Sequence, residues 1–294
     1  MARIRRARLS GRLDSMATRE LANFLRSRRD RIKPSAVGLP AGGRRRAPGL
    51  RRAEVAMLAG ISPDYYMRLE QGRGIRPSPS VLDGLSRALG LNTDERDHLY
   101  RLARSEPSPP HLPAEGPVDA NVRRLLEAIA PVPAYVINGR LDVLAWNRTA
   151  AALMCELAEQ PEPRRNMLRY AFGDPRARDF YVAWEEVARH GVAQLRTATG
   201  RDPGDPANGA LIRELADGSP EFRDWWRRQD VKGPGIGRKE YRHPVVGRLS
   251  LDYIGMVLPN TLDHQFVTLT APEGSPSQAA LEKLAVQRYE VSAG

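Results

Sequence analysis

One cysteine in 294 residues excludes an intramolecular disulfide and a cysteine-rich zinc site. That residue, Cys155, falls in a helical apolar pattern and reads as a small core side chain. The five histidines are scattered, with no HExxH or other paired ligand spacing, so neither a metal nor a cofactor is expected. No apolar run approaches the ~20 residues of a membrane span. The basic N-terminus also lacks the apolar stretch that completes a signal peptide. A soluble, cytoplasmic chain without membrane contact is the expectation. A GxSxG elbow is missing as well. Gly233-Pro234-Gly235-Ile236-Gly237 precedes a strand pattern rather than a helix, so it does not cradle phosphate at a helix N-terminus. An enzyme is not expected.

What is abundant is arginine, and it is unevenly placed. Residues 1–105 hold 23 Lys+Arg and 10 Asp+Glu, whereas the rest of the chain holds 23 and 25. The net charge of +11 therefore belongs to the N-terminal part. That is the footprint of a phosphate-binding module joined to something that does not touch phosphate. Arginine suits bidentate phosphate and guanine contacts better than lysine does.

Within the basic part, residues 50–72 read as a helix-turn-helix. Val55, Ala56 and Ala59 give one apolar face of a short first helix. Gly60 stops it in the left-handed conformation, and Ser62 caps a second helix with Pro63 at its first position. Tyr66 and Leu69 point to the core, and Glu70 and Gly72 close the unit. Pro63, Asp64, Tyr65, Met67 and Arg68 remain on the outer face, where a recognition helix meets base edges. A plain helical hairpin is the bland alternative. Arginines on both sides (Arg44, Arg45, Arg46, Arg51 and Arg52 before; Arg68, Arg73 and Arg76 after) favour DNA.

Residues 1–17 form a basic extension, expected to lack structure. It is either an added DNA arm or sequence upstream of a start at Met16. A first domain spans 18–104, with five helices. Leu21, Phe24 and Leu25 mark the first, Val81, Leu82, Leu85 and Leu89 the fourth, and Leu99 and Leu102 the fifth. Residues 105–117 contain five prolines and read as a semi-rigid linker. A second domain spans 118–290. It opens with a helix carrying Val122, Leu125, Leu126 and Ile129. Strands 134–138 and 141–146 follow, joined by a tight Asn138-Gly139 turn. A helix runs from the Asn147 cap through Leu157, a long helix from Asp174-Pro175 to about Thr199, and another begins at Ser219-Pro220. Strands at 238–243, 247–258 and 265–271 precede a terminal helix from Ser275-Pro276. The fold class is α+β: an all-α domain, then a five-stranded antiparallel sheet with helices on one face, able to enclose a small cavity.

The segments 42–52, 64–74, 77–79 and 98–103 resemble those of actinobacterial Xre-type regulators with an MmyB-like C-terminal domain. In the second domain the similarity continues through Pro133-Ala134-Tyr135-Val136, Leu144-Ala145-Trp146-Asn147, Arg165-Asn166-Met167-Leu168, 242–247 and Leu251-Asp252-Tyr253, and covers 18–284 in all. The resemblance implies a lambda-repressor-like five-helix DNA-binding domain followed by a PAS-like ligand-binding domain. A member of that family has been seen with a fatty acid in the pocket, which stands as one candidate effector. Residues before Met16 lie outside the family pattern.

For double-stranded DNA, positioning falls to Arg51 and Arg52 on phosphates, with Arg73 after the hairpin. Arg44, Arg45 and Arg46 hold phosphates or enter the minor groove. Arg68 is the best base reader, as a guanidinium pairs with guanine O6 and N7. Asp64 can accept from cytosine N4, Tyr65 can touch a thymine methyl or a phosphate, and Ser62 and Met67 complete the face. One such domain covers one half-site, so a homodimer on a near-palindrome is expected, nucleoid-associated when bound. In the second domain Trp146, Trp184, Phe222, Trp225 and Tyr253 are either a ligand cage or ordinary core. Asn147, Arg165, Asn166 and His243 either anchor a ligand carboxylate or tie loops to backbone. The expected function is a sequence-specific transcriptional regulator, more simply a repressor, controlled by a small apolar or amphipathic ligand. The alternative is a second domain serving only dimerisation or protein contact.

Overall fold

The computed structural model describes residues 18–39, 49–73, 76–103, 117–201, 205–259, 261 and 263–286. The basic extension, the arginine triplet at 44–46 and nearly all of the proline-rich linker lie outside the described residues. Among the described residues no helix is long and apolar enough to cross a membrane. The chain forms two compact units.

The first unit is helical. Helix α1 (18–31) buries Leu21, Phe24 and Leu25 on one face. A 3-10 turn, Pro34–Val37, follows, then α2 (Arg52–Ala59), α3 (Pro63–Glu70), α4 (Pro79–Ala88) and α5 (Thr93–Ala103). Each boundary has a local cause. Gly60 ends α2 at φ 70°, and its N–H caps the Ala56 and Met57 carbonyls. The Ser62 hydroxyl accepts from Tyr65 N–H at 3.1 Å, and Pro63 begins α3. Asn92 and Glu95 form a reciprocal cap at α5, with bonds of 2.9 and 3.0 Å. The core joins Phe24, Leu25, Leu50, Val55, Tyr66, Leu82, Leu85 and Leu99. Two glycines permit its closest approaches. A Cβ on Gly84 would lie 2.4 Å from the Ala59 carbonyl oxygen, and one on Gly49 would lie 2.2 Å from that of Arg29.

By its contacts this unit also takes in 199–201, 205, 206 and 227–232. The reason is packing: Val231 joins its apolar core, and the buried Arg28 guanidinium donates to the Gln229 carbonyl.

The second unit is built on one antiparallel sheet in the order β2-β1-β5-β4-β3. The strands are β1 (Ala134–Ile137), β2 (Val143–Trp146), β3 (Ile236–His243), β4 (Gly247–Val257) and β5 (Gln265–Thr270). On one face Tyr135, Ile137, Tyr241, Leu249, Leu251, Val267 and Leu269 meet the helical layer. The alternate residues Ala134, Val136 and Phe266 meet Leu126 of α6 (Ala120–Ala128). Helices therefore cover both faces, not one.

The first hairpin turns tightly through Gly139-Arg140, with Leu141 N–H donating to the Asn138 carbonyl at 2.9 Å, and two helix expectations are corrected. Strands end at Ile137 and restart at Val143, and Asn138 Oδ1 organises the loop by accepting from the Arg140 and Asp142 N–H groups. The helix after Asn147 breaks at Met154 into α7 (Arg148–Leu153) and α8 (Cys155–Ala158). The long helix at 174–199 is instead α10 (Arg176–Phe180) and α11 (Trp184–Arg201). Between them Tyr181 bridges to Tyr241, and Val182 N–H donates to the Glu240 carbonyl at 3.1 Å, which covers the β3 edge. The sheet claims those residues from the helix. Helices α9 (Met167–Gly173), α12 (Pro206–Gly218), α13 (Pro220–Arg227) and α14 (Pro276–Val286) complete the unit.

Gly84→Ala gains helix propensity but drives a methyl into backbone. The expected net effect is a loss of about 1–3 kcal/mol, measured by urea unfolding. An unchanged midpoint would contradict the close α2–α4 approach.

Candidate functional site

On the first unit, capping and packing fix how α3 presents its outer face. Tyr66, Leu69 and Glu70 are buried, Asp64 and Arg68 are exposed, and Tyr65 and Met67 are half-buried between them. Burial pushes the Tyr65 phenol up, while the neighbouring Arg68 pulls it back. Ser62 is exposed at the helix start, where its hydroxyl is occupied by the cap. Arg51 and Arg73 are exposed at either end of the hairpin. Arg44, Arg45 and Arg46 fall outside the described residues.

Arg52 is less available for phosphate than its position in the sequence suggests. Its Nε donates to Glu70 Oε2 at 2.6 Å, while Arg29 Nε donates to Glu70 Oε1 at 2.6 Å. Arg29 also reaches the Leu50 carbonyl at 2.9 Å and Asp30 at 2.7 Å. Burial would raise the Glu70 carboxyl, but the hydrogen bonds from Arg29 and Arg52 outweigh it and hold it below the usual glutamate range. One buried carboxylate thus ties α1, the entrance of α2 and the end of α3. Sequence reasoning saw Glu70 only as a terminus. Its place beside Tyr66 and Leu69 on the inner face was the available signal.

In the second unit a cavity of about 70 Å³ lies between the sheet and α11. Ile137, Leu168 and Val267 supply apolar wall, and Tyr135, Tyr181, Tyr241 and Tyr253 supply phenol rings. Two glycines let cavity side chains pack closely: a Cβ on Gly191 would lie 2.7 Å from Leu168, and one on Gly237 would lie 2.8 Å from the Tyr253 ring. Lys239 Nζ stands 4.7 Å from the Tyr253 ring centroid.

Of the nine residues singled out by sequence, only Tyr253 lines this cavity. Trp184, Trp225 and Phe222 gather around Phe172, with centroids 5.3–5.9 Å from it, as part of the helical core. Trp146 lies under the Arg165 guanidinium at 5.1 Å, and Arg165 Nε donates to the Gln160 carbonyl at 2.9 Å. Asn147 is a four-way tie: Oδ1 accepts from Ala134 and Ala150 N–H, and Nδ2 donates to the Leu126 and Val132 carbonyls. Asn166 caps α9 through Leu168 and Arg169 N–H and donates to Arg140 and Asp142. His243 Nδ1 accepts from Val245 and Val246 N–H in the β3–β4 turn, and Nε2 meets the Ala152 carbonyl at 3.0 Å. Burial lowers the His243 pKa, so the imidazole is neutral and structural. These polar groups tie loops to backbone. Of the four cavity tyrosines only Tyr253 stood out in sequence; nothing in the local pattern around Tyr135, Tyr181 and Tyr241 separates them from ordinary buried side chains.

Three outcomes are expected on the first unit. Glu70→Ala should cost on the order of 3 kcal/mol, near the lower end for a broken buried pair because Arg29 keeps Asp30 and Leu50. The folded carboxyl has the lower pKa, so its contribution is fully present at neutral pH. It is lost on acidification below the ordinary glutamate range. The stability gap between wild type and variant should therefore narrow in acid, and a gap independent of pH would count against the network. Arg68→Ala should relax preference at one base pair and cost ~1–3 kcal/mol, read by binding-site selection. Arg51→Ala should weaken all sequences alike and flatten the salt slope by about one. Unchanged preference in the Arg68 variant would remove it as a base reader.

Residues 20–99 match a helix-turn-helix domain family. A search of curated proteins finds no match to the chain. Residues 118–284, more than half of the chain, match the MmyB-like transcription regulator ligand binding domain. A helix-turn-helix unit followed by that domain makes the chain a member of the MmyB-like transcription regulators, DNA-binding at one end and ligand-binding at the other.

Proposed function

We propose that the chain is a sequence-specific transcriptional repressor that binds a near-palindromic operator as a homodimer and is released by a small apolar or amphipathic molecule. The observation that carries this reading is α3, capped by Ser62 and pinned by Glu70, with Asp64 and Arg68 exposed on its outer face. A guanidinium and a carboxylate on one helix face can discriminate guanine and cytosine in the major groove. Repression follows as the simplest sign, by occlusion of the operator. The second unit's cavity supports an effector, and a fatty acid is one candidate. An effector can act only if it binds the DNA-competent and DNA-incompetent arrangements of the dimer with different affinities.

A second reading has an observation of its own. Ile236, Ile254 and Met256 are exposed on the outer face of β3 and β4, with Ile236 and Ile254 paired in register. That strip favours dimerisation or protein contact as the role of the second unit.

Decanoate titrated into the full-length protein discriminates them. Under the effector reading it raises the melting temperature with dose and weakens binding to a selected DNA site. If neither quantity moves with decanoate or with a compact carboxylate such as benzoate, the contact reading takes its place.

A further inference from the structure

Three buried hydroxyls in the second unit have no use in the fold. Tyr135 on β1, Tyr181 just before α11 and Tyr241 on β3 are each more than nine-tenths buried, and all three line the cavity. The Tyr181 and Tyr241 rings pack together at 5.7 Å between centroids, with Phe180 4.9 Å from Tyr181, and Tyr135 belongs to the same buried cluster. Asn147, Asn166 and His243 of this unit are tied, while the Oδ1 atoms of Asn208 and Asp263 are sealed without a partner away from the cavity. Among the described residues no group hydrogen-bonds to the hydroxyls of Tyr135, Tyr181 or Tyr241. Nor are these hydroxyls sealed without a partner, as the Tyr66 hydroxyl is; they reach open space. Burial pushes each phenol up, so all three stay protonated and can donate.

A buried hydroxyl left without a partner costs stability. Three around one cavity in a natural protein point to something that enters and accepts from them. We propose that Tyr135, Tyr181 and Tyr241 form a hydrogen-bond-donor subsite for an acceptor oxygen, a carboxylate or a carbonyl, carried by a compact ligand. They thereby set which effectors the second unit admits. Compactness follows from size: about 70 Å³ is room for about five waters. Ile137, Leu168 and Val267 take the apolar remainder of the ligand. This inference rests on the effector reading above and adds the chemistry of recognition.

The test uses the full-length protein and four probes of similar shape: benzoate, acetophenone, benzylamine and toluene. Benzoate or acetophenone should raise the melting temperature, while benzylamine and toluene should not. Benzoate alone would assign a carboxylate, helped by Lys239 at the same cavity, and both together a carbonyl oxygen in general. Tyr135→Phe, Tyr181→Phe and Tyr241→Phe should each weaken the effective probe by about fivefold, the worth of one hydrogen bond. Without probe, each variant should melt no lower than wild type, since the deleted hydroxyl had no protein partner. Equal stabilisation by toluene, full retention in the Phe variants, or a marked loss of unliganded stability would each overturn the subsite. So would the absence of any shift across the set. If decanoate still releases DNA in that last case, the effector reading stands and the donor subsite alone falls.

Discussion

The Glu70 carboxylate is the constraint on which the DNA-binding unit depends. It lies on the inner face of α3 beside Tyr66 and Leu69, with its side chain fully buried and bound to Arg29 from α1 and Arg52 from α2. A charge in that position is tolerable only because both partners reach it. In return it sets the rotation of α3 about its own axis, and hence which side chains face outward. Arg29 extends the tie to the Leu50 carbonyl, and Gly49 lets that strand of chain lie against the end of α1. Ser62 and Gly60 fix where the two helices of the hairpin begin and end, but the carboxylate holds their faces. The recognition surface is thus rigid for reasons buried beneath it.

The second unit solves a different problem, which is to keep an interior space open. Its sheet is covered by α6 on one face and by the helical layer on the other. A cavity survives beside Leu168 and Tyr253, whose positions depend on the absence of a Cβ at Gly191 and Gly237. The large indoles are spent elsewhere. Trp184 donates to the Ala171 carbonyl at 2.7 Å and packs with Phe172 and Trp225 as core. Phenols are left to line the space, and a phenol carries a donor where an indole or phenyl group of similar bulk need not face one.

The helix-turn-helix was legible because its demands are local. A left-handed residue at 60, a cap at 62 and a proline at 63 each act within one turn of chain, and sequence displays them directly. The alternating strands of the second unit were legible for the same reason. What sequence could not display was set by partners distant along the chain. Glu70 meets Arg29 from 41 residues away, so its role as a tie was invisible. Tyr181 left its helix because the β3 edge needed covering, a requirement known only once the sheet is assembled. Asn147, Asn166 and His243 looked like candidate anchors, and their hydrogen bonds prove to be mainly with backbone, with one from Asn166 to the Asp142 carboxylate. The cavity tyrosines differ from core tyrosines only in what their hydroxyls lack.

The most direct test of the central claim is selection of bound sequences from random duplex DNA by the full-length protein at two salt concentrations. A sequence-specific dimer should enrich a two-fold motif with half-sites about one helical turn apart, and the motif should persist at the higher salt. Binding without an enriched motif, vanishing as salt rises, would leave only phosphate attraction and contradict the account.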